Sequence, residues 1–221
     1  MADQSETSLP VKIVIVDDHE MVAEGLRNAL QSEDGFEVVA MAATVKAATA
    51  AAERHRPDVM LMDFGLPDGN GAEATALVKE ISPGTKVVIV TSMVDEDILL
   101  LAIEAGCSGY ITKQRPLDEV VRAVRAVSAG EALISSTMMA RLLPRLRRNG
   151  RGLGSTLTTR ETEVLGLLSQ GHPNKVIAEE LEITLKTVRN HVQNILQKLD
   201  SHSKLEAVAT AVREDIIRFP D

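Results

Sequence analysis

The sequence is poor in aromatic residues and in cysteine. Only 2% of its 221 residues are aromatic and tryptophan is absent, so aliphatic residues must fill any core. The single cysteine, Cys107, excludes a disulfide framework and a cysteine-based zinc site. No apolar stretch reaches the roughly 18 residues of a membrane span, and the first ten residues lack the basic and apolar regions of a signal peptide. These absences predict a cytoplasmic protein without a membrane partner.

Charge is divided unevenly along the chain. The net charge is −8, but residues 1–140 hold 11 basic and 22 acidic residues, whereas residues 141–221 hold 13 basic and 10 acidic residues. An acidic first part and a mildly basic second part indicate two domains with different partners. The second domain is therefore the candidate for binding nucleic acid.

Short apolar runs alternate with helical stretches over residues 11–130. The runs at 13–16, 59–62 and 87–90 are continuously apolar, which is typical of strands buried on both faces of a parallel sheet. The pattern predicts an α/β domain with a five-stranded, doubly wound parallel sheet. Strands are predicted at about 12–16, 36–41, 58–62, 86–90 and 109–111, and helices at about 20–32, 44–55, 71–80, 95–104 and 117–129.

Polar residues follow four of the predicted strands. Asp17 and Asp18 follow the first strand, Asp63 the third, Thr91 the fourth and Lys113 the fifth. Parallel strands end at one edge of a sheet, where such folds hold their ligands. Three carboxylates suit Mg²⁺, a hydroxyl and an ammonium suit a phosphoryl group, and an aspartate can itself be the nucleophile. The edge is therefore equipped for phosphoryl transfer.

Each of these residues also has a structural explanation. The acids and Thr91 can cap the helices that follow, and Lys113 can be a solvated surface lysine. Capping alone does not readily explain why all of them occur at successive strand ends, so we favour the functional interpretation.

With these residues in place, the first 130 or so residues resemble a response-regulator receiver domain, a fold of the flavodoxin-like type. The resemblance rests on the acid pair, the strand-end Asp63, Pro67 in the next loop, Thr91 and the segment 110–113. Leu66 and Phe64 depart from residues common in this loop, but neither removes a required group.

The resemblance implies a role for each residue of this edge. Asp63 would accept a phosphoryl group from a histidine kinase, and Lys113 would pair with that group. Thr91 and Tyr110 would form a switch that senses it. The implied Mg²⁺ ligands are the carboxylates of Asp17, Asp18 and Asp63 and the backbone carbonyl of Gly65.

Two segments outside this domain lack its pattern. Residues 1–10 are polar and are predicted to be disordered, and residues 131–156 are predicted to be a linker. The linker begins with a short helix at about 136–143 and continues into a stretch rich in Gly, Pro and Arg. Residues 157–221 then form a second domain whose pattern is helical only, with helices at about 159–170, 175–181, 185–199 and 203–216.

The helix predicted at 185–199 has one apolar face and one face of cationic and amide side chains. Arg189, Asn190 and Gln193 lie on the second face, and such side chains read base edges in the major groove. A short helix and a tight turn precede it, which is the order of a helix-turn-helix motif. Without that order, a solvated polar face would be the simpler interpretation.

Residues 157–208 closely resemble a LuxR-type DNA-binding domain. The resemblance rests on the segment 157–165 and on Gly171, Asn174-Lys175, Thr187-Val188 and His191-Val192. It implies an all-α, four-helix domain whose last helix serves dimerisation, although the apolar residues of that helix equally suit an intradomain core. The implied base-facing residues are Arg189, Asn190 and Gln193, and the implied backbone contacts are Lys175, Thr184, Thr187 and Lys198.

Together the two resemblances predict a non-enzymatic transcription regulator of the response-regulator class. Its expected partners are a histidine kinase, paired DNA half-sites, a second copy on activation and RNA polymerase. Activation by interdomain release and activation by dimerisation both stay open. One alternative is a regulator that works without phosphorylation, with a vestigial or ligand-sensing pocket. An aspartyl-phosphate phosphatase is disfavoured, because Phe64-Gly65 follows Asp63 where a second carboxylate would be needed.

Overall fold

The chain folds into an α/β unit followed by a group of helices. The computed structural model describes residues 9–93, 95–132, 134 and 157–217. Residues 1–8 of the predicted disordered segment, and most of the predicted linker with its short helix, lie outside these ranges.

Five parallel strands form the central sheet, with helices between them. These five are β1 (Val11–Val16), β2 (Phe36–Ala42), β3 (Val59–Asp63), β6 (Lys86–Thr91) and β7 (Gly109–Thr112). Two short strands outside this sheet, β4 (Gly65–Leu66) and β5 (Gly69–Asn70), lie between β3 and β6 in the chain. The helices of this unit are α1 (Glu20–Gln31), α2 (Val45–His55), α3 (Gly71–Ile81), α4 (Glu96–Glu104) and α5 (Leu117–Ser128). The strand order in the five-stranded sheet is β2-β1-β3-β6-β7.

Strand register brings the polar strand ends together. Val16 of β1 lies beside Met62 of β3, so the residues that follow these strands emerge side by side. Asp63 ends β3 opposite Val90 of β6, which places Thr91 one residue further along the same edge. The predicted meeting of these residues is therefore a direct result of the parallel register.

Alternate residues of the buried strands face two separate cores. Ile13 and Ile15 of β1 pack with Leu26 of α1 and Val124 of α5 on one face of the sheet. Val14 and Val16 pack toward α2 and α3 on the other face, with Ala48 and Val78. Each fully buried aliphatic side chain contributes roughly 1.5–3 kcal/mol, so the absence of tryptophan does not weaken the core.

The loop after Asp63 has more structure than its glycines suggest. β4 and β5 pair as a two-residue antiparallel ladder, which the sequence pattern did not predict. Asn70 then caps α3 by accepting from the backbone of Glu73, whose side chain accepts from the Asn70 backbone. This capping box fixes where the chain turns back from the edge of the sheet.

Four helices are described in the C-terminal unit: α6 (Thr159–Ser169), α7 (Asn174–Glu180), α8 (Leu185–Lys198) and α9 (Lys204–Arg213). Thr158 and Glu161 form a capping box at α6, and Thr184 and Ser203 cap α8 and α9. The apolar face predicted for α8 is buried, with Val188 and Ile195 fully enclosed.

The two units pack directly on each other through α4 and α9. Leu99 and Ile103 of α4 belong to the same buried cluster as Leu205 and Val212 of α9. Gly106, just after α4, comes so close that an added Cβ would lie 3.1 Å from the Cβ of His202. Helix α9 therefore lies in a contact between the units rather than presenting an open surface.

The predicted fold class is confirmed, and the element boundaries differ from the predictions by a few residues. Asp63 belongs to β3 itself, and the last helix ends at Arg213 rather than at residue 216. Within the described residues, no helix is long and apolar enough to cross a membrane.

Candidate functional site

Acidic residues and one histidine cluster at the carboxyl edge of the sheet. One possible ligand atom from each of Asp17, Asp18, His19 and Asp63 lies within 4.8 Å of the others. Asp17 and Asp63 are 4% and 5% exposed, whereas Asp18 and His19 are open to solvent. The three carboxylates meet as the sequence predicted. His19 was not predicted to belong to this cluster, although its position directly after the acid pair could have indicated it.

Lys113 holds the two buried carboxylates together. Its Nζ lies 2.7 Å from Asp17 Oδ2 and 2.8 Å from Asp63 Oδ2. Burial opposes the charge on Lys113, but the hydrogen bonds that its ammonium donates to Asp17 and Asp63 outweigh burial and raise the pKa of the lysine. Burial also raises the pKa of Asp63, although Lys113 offsets part of that rise. The pocket therefore keeps an ammonium between two carboxylates that water does not screen.

The backbone behind Asp63 leaves no room for a side chain at position 71. A Cβ on Gly71 would lie 2.5 Å from the Asp63 carbonyl oxygen and 2.9 Å from the Phe64 Cα. The Gly71 amide donates to the Phe64 carbonyl at 2.8 Å. Gly71 thus allows the close approach of the backbone behind Asp63. The sequence showed that this loop is rich in glycine, but not which glycine is required.

Thr91 and Tyr110 converge on one residue, Met93. The Met93 amide donates to Thr91 Oγ1 at 3.1 Å, and the Tyr110 hydroxyl donates to the Met93 carbonyl at 2.8 Å. Both side chains are buried, with 1% and 4% exposed. Burial raises the pKa of Tyr110 to about 12, so its hydroxyl stays a donor at neutral pH. Met93 links the two predicted switch residues, which the sequence did not indicate.

The donor set of the pocket fits a divalent cation. Asp17, Asp18 and Asp63 offer hard carboxylate oxygens, which magnesium and similar ions prefer, and Asp18 is open to the water that such ions retain. A cation would also relieve the repulsion among the three carboxylates, of which only Asp17 and Asp63 contact the Lys113 ammonium. The cluster is thus suited to a divalent metal ion.

The predicted base-facing residues lie exposed on one helix. Arg189, Asn190 and Gln193 all belong to α8, behind the buried face of Val188 and Val192. Arg189 and Gln193 also line a cavity of about 590 Å³ between the two units. In this arrangement the α/β unit lies next to Arg189 and Gln193, on the face of α8 that is predicted to contact DNA bases.

Three of the four predicted backbone contacts share one surface. Lys175, Thr184 and Thr187 line the same open depression between α7 and α8. Thr184 Oγ1 lies 2.8 Å from Thr187 Oγ1 and also accepts from the Thr187 amide. Lys198 is engaged elsewhere, since its Nζ donates to the buried Glu161 carboxylate at 2.7 Å.

Comparison with known proteins identifies both units. The family model of the response regulator receiver domain matches residues 13–125, and the model of bacterial regulatory proteins of the luxR family matches residues 155–211. The response regulator protein VraR of Staphylococcus aureus is 36% identical over 210 residues, which cover 95% of this chain and 100% of VraR.

Solved structures give the same result. A two-component response regulator of the LuxR family from Aurantimonas sp. SI85-9A1 matches with 33% identity and a TM-score of 0.57, covering 62% of this chain and 97% of that chain. The signal receiver domain of the response regulator NarL from Mycobacterium tuberculosis matches with 30% identity and a TM-score of 0.54, covering 56% of this chain and 100% of that chain.

The chain therefore belongs to the two-component response regulators, and within them to those with a LuxR-type helix-turn-helix domain. These are DNA-binding transcription regulators and not enzymes, which confirms the class predicted from the sequence.

Replacing Lys113 tests the electrostatics of the pocket. We expect Lys113→Gln to lower the free energy of unfolding by about 3 kcal/mol without metal, because it leaves buried carboxylates unpaired. Saturating Mg²⁺ should restore more stability in the variant than it adds to the unaltered protein. Thermal denaturation with EDTA and with MgCl₂ measures both effects.

The matched control is Arg115→Gln, which removes a cation that pairs with Glu119 at the surface. It should change stability little under either condition. An equal gain from Mg²⁺ in Lys113→Gln and in the unaltered protein would contradict a metal site that shares these carboxylates.

Proposed function

We propose that a histidine kinase phosphorylates Asp63 in the presence of Mg²⁺, and that this controls sequence-specific DNA binding by the C-terminal unit. The observation that carries the proposal is the buried Asp17–Lys113–Asp63 arrangement at the sheet edge of a chain that also has a helix-turn-helix domain. A phosphorylated aspartate at this position would change the charge balance of the pocket directly.

The pocket supplies what phosphoryl transfer needs. An oxygen of the Asp63 carboxylate attacks phosphorus, the bond from phosphorus to the kinase histidine nitrogen breaks, and that nitrogen keeps the electron pair. Asp17, Asp18 and Asp63, with the backbone carbonyl of Gly65, would hold Mg²⁺, which neutralises charge on the transferring group. The Lys113 ammonium lies 2.8 Å from the acceptor and pairs with the new phosphoryl oxygens.

Met93 offers a route from the phosphoryl group to the rest of the molecule. Phosphorylation adds roughly two negative charges and strong acceptors, and the Thr91 hydroxyl is the donor that we expect to turn toward them. That movement gives up the bond from the Met93 amide and changes the contact that holds Tyr110. Helix α4 begins three residues later, at Glu96, and packs on α9.

The packing of the units favours interdomain release as the first step of activation. Arg189 and Gln193 line the cavity between the units, so DNA cannot reach the whole face while the units are packed. A shift of α4 would weaken its contact with α9 and free α8 to enter a major groove. Two copies would then bind half-sites about one helical turn apart, with dimerisation following release. RNA polymerase is a further expected partner, and the cytoplasm the expected compartment.

The phosphoacceptor role is tested with a small phosphoryl donor and Mg²⁺. The unaltered protein should gain the mass of one phosphoryl group and bind its operator more tightly, whereas Asp63→Asn should show neither effect. Mass spectrometry and fluorescence anisotropy with labelled DNA provide the two measurements.

Asp34→Asn is the matched control, since Asp34 is an exposed acid outside the pocket. It should behave like the unaltered protein. Absence of a mass gain in the unaltered protein would rule out the acceptor role. Equal DNA affinity with and without the donor would instead rule out the switch and favour a phosphorylation-independent regulator.

The DNA contacts are tested by two substitutions with different signatures. Arg189→Ala should weaken binding by about 1–3 kcal/mol at the preferred sequence and relax sequence preference. Lys175→Ala should weaken binding to all sequences and reduce the slope of affinity against salt concentration by about one. Binding titrations on matched and scrambled operators, over a series of salt concentrations, separate the two effects.

Interdomain release is tested at Glu131, whose Oε2 accepts from the Asn174 amide at 3.1 Å and lies 3.7 Å from Lys204 Nζ. Glu131→Lys should replace this attraction by repulsion and raise the fraction of molecules with separated units. Unphosphorylated protein should then bind DNA about tenfold more tightly, because apparent affinity follows the competent fraction.

Glu53→Lys is the control, because it makes the same change in net charge at an exposed position of α2. A general attraction of added lysine for DNA would raise the affinity of both variants equally. That result would contradict release at the Glu131 contact.

A further inference from the structure

The cavity between the two units is lined by more positive than negative charge. Lys86 comes from the start of β6, and Arg189 and Lys204 come from α8 and α9. Glu131 provides the carboxylate among the described residues that line it. Three cations and one carboxylate leave an excess of about two positive charges on its wall.

The buried Lys204 and the half-buried Lys86 are held in place, and Glu131 offsets only part of the positive charge around them. Lys204 is 9% exposed, and its Nζ donates to Asn174 Oδ1 at 2.7 Å and lies 3.7 Å from Glu131 Oε2. Lys86 Nζ donates to the Ser128 carbonyl at 2.8 Å. Both lysines line the cavity. Each ammonium has three N–H donors, so these contacts leave at least one donor on each lysine for a ligand.

The cations also act on one another. The pKa of Lys204 is lowered to about 8, chiefly by burial, with Glu131 opposing the shift and the nearby Arg189 and Lys86 adding to it. Burial likewise lowers the pKa of Lys86, with Asp58 opposing and Arg189 adding to the effect. Arg189 has no ion-pair partner among the residues that the structure describes. An anion in the cavity would relieve this repulsion.

Size and the rest of the lining define the anion. The volume of about 590 Å³ lies in the range of small-molecule sites. Val127, Ala132, Val192 and Leu196 supply apolar wall beside the charged groups. A planar guanidinium and two ammonium groups can donate hydrogen bonds to the oxygens of a phosphate. A phosphate monoester carries about two negative charges, which would balance the excess of about two positive charges on the wall.

We propose that the cavity binds a small organic phosphate, a monoester whose phosphate lies among Lys86, Arg189 and Lys204 and whose organic part contacts the apolar wall. Such a ligand touches both units at once and therefore favours their packed arrangement. It also occupies Arg189, so it opposes DNA binding by linkage. The DNA part of the proposal rests on the proposed role of Arg189, whereas the binding part does not depend on phosphorylation of Asp63.

The binding test uses the full chain and glycerol 2-phosphate as the probe, with EDTA present to keep metal out of the acidic pocket. Isothermal titration should show saturable binding to the unaltered protein. Lys86→Gln should weaken it about tenfold, as expected for the loss of one charge-assisted hydrogen bond. Glu131→Gln should strengthen it, because it removes a negative charge while keeping an oxygen acceptor for the Asn174 amide.

Opposite effects at two neighbouring positions are not produced by misfolding. Lys46→Gln, an exposed lysine of α2, is the control and should leave binding unchanged. Lack of saturable binding, or equal binding by Lys86→Gln and Lys46→Gln, would overturn the proposal.

The coupling test measures operator affinity at constant ionic strength, with glycerol 2-phosphate exchanged for chloride. The phosphate should lower the DNA affinity of the unaltered protein and have little effect on Lys86→Gln, whose substituted residue lies outside the DNA-binding unit. An equal loss in both proteins would reduce the effect to competition at the DNA-binding surface and overturn the coupling. Asp63→Asn should respond like the unaltered protein, which separates this result from any failure of the phosphorylation switch.

Discussion

The structure depends on the ammonium of Lys113 lying between the carboxylates of Asp17 and Asp63. Parallel register puts the two acids side by side at a buried edge, where their repulsion would otherwise oppose folding. Lys113 reaches them because β7 ends at the same edge, two strands away from β3 in the sheet. A pocket balanced in this way responds to any added charge. The chemistry of the site and the stability of the domain are therefore parts of one electrostatic arrangement.

A continuous set of contacts connects this pocket to the DNA-binding unit. Thr91 and Tyr110 both bind Met93, the chain enters α4 three residues later, and α4 packs on α9. Helix α9 is buried on nearly all sides, so it cannot move without changing the packing of α6 and α8. On the proposed route, the helix that the sequence suggested for dimerisation would also transmit a change in the α/β unit. Release and dimerisation can be successive uses of the same surface.

Much of this could be predicted from the sequence, and what could not has physical reasons. Continuous β-branched runs indicated the buried strands of a parallel sheet. Because parallel strands end at one edge, the polar residues after them also indicated the pocket. The β4–β5 ladder was missed because two-residue strands have no period. Met93 and Gly71 were missed because their contacts with Tyr110 and with the Asp63 backbone arise only in the folded chain, whereas His19 follows the acid pair directly and could have been included. Pairing of Lys198 with Glu161 and the interdomain cavity likewise arise from long-range packing.

Arg189 belongs both to the cavity wall between the units and to the helix face that we propose reads DNA. With both roles, operator choice and DNA binding in the absence of phosphorylation would not be independent of each other. A substitution that shifts base preference at position 189 would therefore also change the charge of the wall between the units. During divergence of such regulators, a new target sequence would bring an altered resting activity with it, unless a second change on the wall around Lys86 or Glu131 restored the balance.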